Sequence, residues 1–355
     1  MARGEKLFTV GPVMMFPDVS EYSGKQLPYF RTRDFSEIML DSEYLLKKLL
    51  FAEKESRAVF LTASGTGAME AAVGCTFRKG EKVLIVVGGG FGKRFAEICD
   101  AHGILHDDIV LAFGETLSES HLEQFSGRGY SGFLVNLDET STGQLYDIGM
   151  ISRFCRREGI CLVADAISSF LADPVCMEKY GIDEIILSSQ KALSLAPGLS
   201  SVVMGKKVFD ERIADGGKDM YYLNLKRHAD DQMRGQTPFT PAVGILLDLN
   251  SALRKIDSAG VESVISRTAG LASYFRKRAS ESGLNIPDYP LSNAVTPLVF
   301  EKNAYGIFET LRNDYGLTVT PSGGELRDKV LRVGHIGNLS EPDYDELLLA
   351  LEKII

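Results

Sequence analysis

The sequence predicts an α/β fold: a mostly parallel seven-stranded sheet set between helices, followed by a smaller C-terminal α+β domain. Three observations predict it. Seven short apolar runs recur through the first two thirds of the chain. The segments between them carry apolar residues at helical spacing. After about residue 240 the alternation stops and two long helical patterns follow one another.

The runs at 58–61, 82–87, 109–112, 132–137, 160–164, 184–187 and 201–204 read as strands. They are aliphatic throughout rather than alternating with polar residues, as in strands buried on both faces of a parallel sheet. Helices are expected at 66–76, 92–102, 118–125 and 148–158, giving right-handed strand–helix–strand crossovers. Beyond Pro238 and Pro241 the pattern predicts helices at 242–256 and 260–282, a strand at 294–300, a helix at 305–315, a strand at 330–333 and a last helix at 342–355. This divides the chain into an arm with a substrate-access loop (1–20), a large domain (21–241) and a small domain (242–355).

Composition bounds the function. The chain has 355 residues, 45% hydrophobic and 25% charged, enough to bury a core around a small ligand. Its net charge of −9 is spread without a Lys/Arg block, which argues against nucleic acid or an anionic membrane as partner. The longest apolar stretches are strand-sized, so no transmembrane span is expected. The first residues show no signal-peptide pattern. Five dispersed cysteines without a CxxC pair fit reduced, buried thiols in a cytoplasmic protein.

Several strand ends carry groups with chemical potential. Lys191 follows the run at 184–187 and precedes a Pro-Gly turn, so it faces the crevice where α/β folds bind ligands. Desolvation there makes an amine nucleophilic toward carbonyls. Asp165 ends the run at 160–164, where it is either a helix N-cap or a carboxylate held against a ligand cation. A strand-ending Asp followed 26 residues later by a strand-ending Lys suits pyridoxal phosphate (PLP), with Asp165 facing the pyridine nitrogen and Lys191 carrying the cofactor as a Schiff base. Ser64-Gly65-Thr66-Gly67 opens a helix and offers backbone N–H groups and two hydroxyls to a phosphate. A capping pair of Thr66 with Glu70 is the alternative.

The Gly88-Gly-Gly-Phe91-Gly92 loop resembles a dinucleotide fingerprint, with Asp107 and Asp108 about 20 residues on. An NAD-binding oxidoreductase is therefore the competing class. Lys93 stands where the third glycine belongs, and Val87 with no Ser/Thr after Lys93 excludes a Walker loop. The preferred reading makes the loop a tight turn presenting Phe91 as a lid on an aromatic ring. Thr140, in Glu139-Thr-Ser-Thr-Gly143, suits the cofactor's 3′-oxygen, against the alternative of a solvated Ser/Thr turn. Arg332 lies inside an apolar strand and needs an anion, either an internal salt-bridge partner or a substrate carboxylate. The five histidines form no metal-ligand cluster, and no hydrolytic triad suggests itself.

Together these segments resemble the class V aminotransferases, fold-type-I PLP enzymes, over nearly the whole chain. The likeness runs from Gly11-Pro12 through Ser-Gly-Thr-Gly (64–67), Gly-Phe-Gly-x-Arg (90–94), Glu-Thr-Ser-Thr-Gly (139–143), Asp-Ala-Ile-Ser-Ser (165–169), Ser-Gln-Lys (189–191) and Thr-Pro-Phe-Thr-Pro (237–241) to Leu-Arg-Val-Gly (331–334). The resemblance implies that Ser64, Gly65, Thr66 and Gln190 bind the phosphate, with Thr237 and Thr240 reaching the phosphate of a neighbouring subunit. It implies Phe91 on one ring face and Ala166 and Ile167 on the other, and Thr140 near the 3′-oxygen. Lys191 would serve as covalent anchor and proton-transfer base, and Arg332, with Gly11 in the access loop, would bind the substrate. It also implies a homodimer with shared sites.

Departures from the family pattern are Leu137, where relatives often have His, and Phe91, where they often have Trp. Gln190 before the lysine favours transamination, since cysteine desulfurases typically place His there. All five cysteines precede residue 177, so the small domain offers no nucleophilic thiol. The expected reaction moves an amino group from alanine or serine to glyoxylate or pyruvate. 2-Aminoethylphosphonate with pyruvate is the close alternative.

Overall fold

The computed structural model describes residues 5–17, 22, 24–217 and 219–355. Residues 1–4 and 18–20 of the expected N-terminal arm lie outside the described residues. Along the chain the strands are β1 (Lys6–Phe8), β2 (Arg57–Leu61), β3 (Lys82–Val87), β4 (Leu105–Val110), β5 (Gly132–Asn136), the short pair β6 (Asp138–Glu139) and β7 (Gln144–Leu145), β8 (Cys161–Asp165), β9 (Glu184–Ser188), β10 (Ser200–Met204), β11 (Val295–Val299), β12 (Leu317–Pro321) and β13 (Val330–Gly334).

Seven of them form the large sheet, in the order β2-β10-β9-β8-β5-β3-β4. β10 runs antiparallel to both its neighbours and the remaining pairs are parallel. Both faces are covered, which is why the strands read as continuous apolar runs. One face packs against helices Arg33–Leu49, Ile148–Glu158 and Val243–Ala259, with Met39, Leu46, Ile151, Leu187 and Leu253 among the buried residues. The other packs against Gly65–Thr76, Gly90–His102 and Leu225–Gln232, around Met69, Phe95, Ile85 and Val202.

The smaller sheet has the order β1-β12-β13-β11. Its core of Phe8, Phe275, Leu298, Leu331 and Tyr344 is closed by helices Val261–Glu281, Ala304–Thr310 and Glu341–Ile354.

Four differences from the sequence expectations have physical causes. The strand expected at 109–112 begins at Leu105, because His106, Asp107 and Asp108 sit on an edge strand that tolerates polar side chains. Strand β1 falls inside the expected arm yet pairs in parallel with β12 (Lys6 opposite Leu317), and three residues are too few to show a period. Strand β12 is absent from the sequence expectations, since its Leu-Thr-Val-Thr-Pro run is short and half polar. Helix Val243–Ala259, assigned by sequence to the small domain, buries Leu246, Leu249 and Leu253 in the large-sheet core against Arg33–Leu49.

Among the described residues no helix is long and apolar enough to cross a membrane.

Candidate active site

The site lies at the C-terminal edge of the large sheet, where the strand-to-helix turns of neighbouring parallel strands converge. A cavity of about 200 Å³ there is lined by Gly11, Ser64, Gly65, Thr66, Met69, Phe91, Arg94, Thr140, Asp165, Ile167, Ser168, Gln190 and Lys191. All of these except Met69, Arg94 and Ser168 are candidate site residues on sequence grounds.

Lys191 follows β9 after the turn of Ser189 and Gln190, and only 9% of it is exposed. Burial lowers its ammonium pKa to about 8, opposed by the negative charges of Asp138 and Asp165 and reinforced by Arg332 and Arg94. The chain after β1 folds back over it. A Cβ on Gly11, whose φ is +138°, would lie 2.7 Å from Lys191 Cδ and 3.2 Å from its Nζ. Glycine is therefore required both for the backbone conformation and for the close approach.

Asp165 ends β8 directly opposite Asn136 at the end of β5. That register lets Asn136 Nδ2 donate to one carboxylate oxygen at 2.6 Å, while the Ile167 N–H donates to the other at 2.7 Å. Burial raises the Asp165 carboxyl pKa to about 6, and those two hydrogen bonds and Lys191 pull the other way. Asp165 is thus a fixed, buried carboxylate whose preferred partner is a cation.

Ser64 caps helix Gly65–Thr76, its Oγ accepting from the Gly67 N–H at 3.4 Å. The cap is Ser64, so the Thr66–Glu70 alternative is not the one adopted. The amides of Gly65 and Thr66 find no acceptor among the described residues. A Cβ on Gly65 would lie 2.6 Å from Ile167 Cδ1, so the glycine lets the isoleucine approach the helix end. Gln190 Oε1 accepts from Ser188 Oγ at 2.6 Å.

The 88–92 loop leads into helix Gly90–His102, and its N-terminus is filled from inside the chain. The fully buried Glu139 accepts from the Phe91 and Gly92 N–H groups at 3.2 and 2.9 Å, and from Ser141. Ser141 Oγ in turn accepts from the Gly90 N–H at 3.0 Å. These three amides are therefore unavailable to a pyrophosphate. Asp107 pairs with Lys82 at 2.7 Å and Asp108 with His106 at 2.7 Å, so neither is placed to hold a ribose. The dinucleotide reading of this loop is therefore corrected: its glycines give way to Tyr146, Ser141, Glu139 and the Val86 carbonyl, each of which a Cβ would strike.

Arg332, from β13 of the smaller sheet, reaches the same edge. Its Nη1 donates to the Thr140 carbonyl and its Nη2 to the Pro321 carbonyl, both at 2.9 Å, while Nε finds no acceptor. No salt bridge to Arg332 occurs among the described residues. Burial lowers its pKa to about 10, against the attraction of Glu139 and Asp138. Thr140 Oγ1 also shares a 2.7 Å hydrogen bond with Ser168 Oγ.

Thr237 and Thr240 do not line this cavity. Thr237 is buried and donates to the Phe239 carbonyl at 2.7 Å, and Thr240 is exposed. Residues that sequence reasoning leaves without a role are Arg94, Ser168, Met69, Asn136 and Asp138. Arg94 and Ser168 lie inside the family-like motifs, and Asp138 directly precedes Glu139. The Asp138 carboxyl pKa is pushed up to about 7 by burial and by the neighbouring Asp173.

The chain is similar to known proteins over most of its length. A family model described as aminotransferase class-V matches residues 28–293. A protein named soluble hydrogenase, small subunit, from Synechococcus sp. is 28% identical over 98% of this chain and 92% of its own length. The serine–glyoxylate aminotransferase of Hyphomicrobium methylovorum is 26% identical over 98% and 89%. Among solved structures, a subgroup IV aspartate aminotransferase from Thermus thermophilus superposes with a TM-score of 0.91 at 27% identity, covering 99% of each chain.

Proposed function

The chain belongs to the class V aminotransferases, fold-type-I transaminases that depend on PLP, and from that premise we propose that it moves an amino group from alanine or serine to glyoxylate or pyruvate. The observation that carries the donor class is the set of cations around the cavity. Among the described residues, Lys191 and Arg94 line it, and Arg332 stands just behind the lining, bonded to the Thr140 carbonyl and close enough to depress the Lys191 pKa. Arg332, held by two carbonyls and lacking an ion-pair partner, is free to take one carboxylate. Lys191 is the amine of the chemistry, and Arg94 is engaged with Thr66, to whose hydroxyl it donates at 3.3 Å. Among the described residues of one chain, no other cation lines this cavity to take a second carboxylate, which favours a monocarboxylic donor.

The residues fit PLP. Supporting the fit are a buried carboxylate at a strand end, a buried lysine with a lowered pKa, and two uncommitted amides at a helix N-terminus. Asp165 would hold the pyridine nitrogen, Phe91 and Ile167 the two ring faces, and Thr140 the 3′-oxygen. Ser64, Gly65, Thr66 and Gln190 would hold the phosphate. Bound there, PLP supplies an electrophilic carbonyl carbon and a ring that accepts the electron pair released at the donor's Cα.

This chain's own residues then have separate tasks. Lys191, its ammonium destabilised by burial, has a neutral amine available near pH 8, which would hold the cofactor by its carbonyl carbon and would carry a proton from Cα. Asp165, fixed by Asn136 and the Ile167 amide, keeps a proton on its ligand's nitrogen. Arg332 orients the donor's carboxylate, and Gly11 lets the loop after β1 close over the lysine and exclude water.

Two features support a homodimer in the cytoplasm. Tyr29, Tyr44, Tyr221 and Met233 are 60–72% exposed, and Thr237 and Thr240 lie outside the cavity of their own chain. All five cysteines are free thiols, as a reducing compartment requires.

The test is the visible spectrum of the purified protein before and after alanine, serine, aspartate or 2-aminoethylphosphonate. Alanine or serine should bleach the yellow band of bound PLP. Bleaching by aspartate or 2-aminoethylphosphonate alone would replace the donor assignment. A protein that stays colourless with added PLP would remove the cofactor. Lys191→Ala should lose the band and Lys206→Ala should keep it.

A further inference from the structure

We propose that Arg94 is the cation that binds the cofactor's phosphate and so sets the chain's preference for PLP over unphosphorylated pyridoxal, an inference that rests on the PLP reading above. A phosphate monoester carries about −1.5 to −2 charges at neutral pH. The other groups assigned to it are all neutral: the Ser64 and Thr66 hydroxyls, the Gly65 and Thr66 amides, the Gln190 amide, and Thr237 and Thr240 of a second copy. The N-terminus of helix Gly65–Thr76 offers about half a positive charge. A dianion taken from water into such a cup is undercompensated.

Arg94 is placed to supply the missing charge. It lines the cavity from the first turns of helix Gly90–His102. Its Nη1 donates to Thr66 Oγ1 at 3.3 Å, inside the cup, and its guanidinium lies 4.8 Å from the centre of the Phe91 ring. It has no ion-pair partner among the described residues, although Lys93 beside it pairs with Glu97. Phe91 and Thr66 therefore hold the fork in one orientation before any ligand arrives. An oriented guanidinium can grip two phosphate oxygens at once, and little side-chain freedom remains to be lost on binding.

A bland role, pinning Phe91 against the ring, predicts something different. PLP and pyridoxal share the ring and the aldehyde and differ only in the phosphate. A residue that acts through Phe91 affects both ligands equally, whereas a phosphate ligand affects one.

The experiment titrates the apo form of the full chain with PLP and, separately, with pyridoxal, following the visible band of the bound ligand. Wild type should prefer PLP by at least 100-fold. Arg94→Gln should cut that preference at least tenfold through loss of PLP affinity, with pyridoxal affinity unchanged. Equal losses for both ligands, or no loss, would overturn the assignment while the cofactor reading stands. A wild-type chain that binds neither ligand removes the cofactor reading itself. Should Arg94→Gln fail to fold, phenylglyoxal labelling of the apo wild type gives another measurement. Inorganic phosphate alone should slow modification of Arg94, located by peptide mass mapping, and failure to protect it would overturn the proposal.

Discussion

Two glycine-rich turns stand at the same edge of the large sheet, one between β2 and helix Gly65–Thr76, the other between β3 and helix Gly90–His102. By sequence the turn after β2 reads as the phosphate cup, although the turn after β3 has more glycines and a partial dinucleotide pattern. In the structure the more glycine-rich turn, after β3, is the one whose amides are closed to an anion. Glu139 and Ser141 accept from its Gly90, Phe91 and Gly92 amides. The turn after β2 has only the long Ser64 cap, with the Gly65 and Thr66 amides unclaimed. What separates them is whether the chain brings its own carboxylate to the helix end. That carboxylate sits 47 residues from Gly92, so local pattern carries no sign of it.

The largest effect expected from this contrast is at Glu139. Replacing it with alanine strands the buried Gly92 amide and the partly buried Phe91 amide and Ser141 hydroxyl, at about 1–3 kcal/mol for the first and less for each of the others. Glu139→Ala should therefore lower unfolding stability by about 3 kcal/mol or more in urea titration, and Glu139→Gln by less. An unchanged midpoint for Glu139→Ala would mean that the two turns are equivalent after all.

Next come the glycines. A Cβ on Gly92 would lie 2.3 Å from the Val86 carbonyl oxygen and 2.8 Å from Val87 Cα, both backbone atoms that cannot move aside. Gly92→Ala should cost about 2–3 kcal/mol through strain. A Cβ on Gly65 meets the tip of the Ile167 side chain, which can rotate away. Gly65→Ala should cost under about 1 kcal/mol of apo stability, yet weaken PLP binding, because the displaced isoleucine belongs to the cavity wall. Similar apo stability losses at both positions would break the distinction between a structural turn and a ligand turn.

The sheet and its strand ends are legible in the sequence because a sheet covered on both faces forces unbroken apolar runs, and the residues that end them must face the crevice. Lys191, Asp165 and Ser64 can be read that way. Arg94 and Asn136 cannot, since their importance comes from register and crossing: Asn136 matters because β5 pairs beside β8, and Arg94 because helix Gly90–His102 passes Thr66. Arg332 is legible as a buried cation, but its freedom from a carboxylate partner is visible only in three dimensions. Thr237 and Thr240 show the opposite case: their motif is plain in sequence, and one chain alone leaves them outside the cavity.

The smallest expected effect is at Ser64, and it probes the comparison from its weak side. The Ser64 cap is a single 3.4 Å hydrogen bond at an exposed helix end, against the several shorter bonds made by Glu139. Its removal should cost about 0.5–1 kcal/mol in the apo chain, near the low end for N-caps, because water can replace the lost acceptor. The same substitution removes one of the hydroxyls offered to the phosphate. Ser64→Ala should thus change the melting temperature of the apo protein by only a few degrees and raise the PLP dissociation constant several-fold. A turn that binds an anion must be weakly satisfied without it, and that pairing of a small stability loss with a larger affinity loss is its signature. If Ser64→Ala instead destabilised the apo chain as strongly as Glu139→Ala, the turn after β2 would also be a closed structural cap, and the phosphate would have to be held elsewhere.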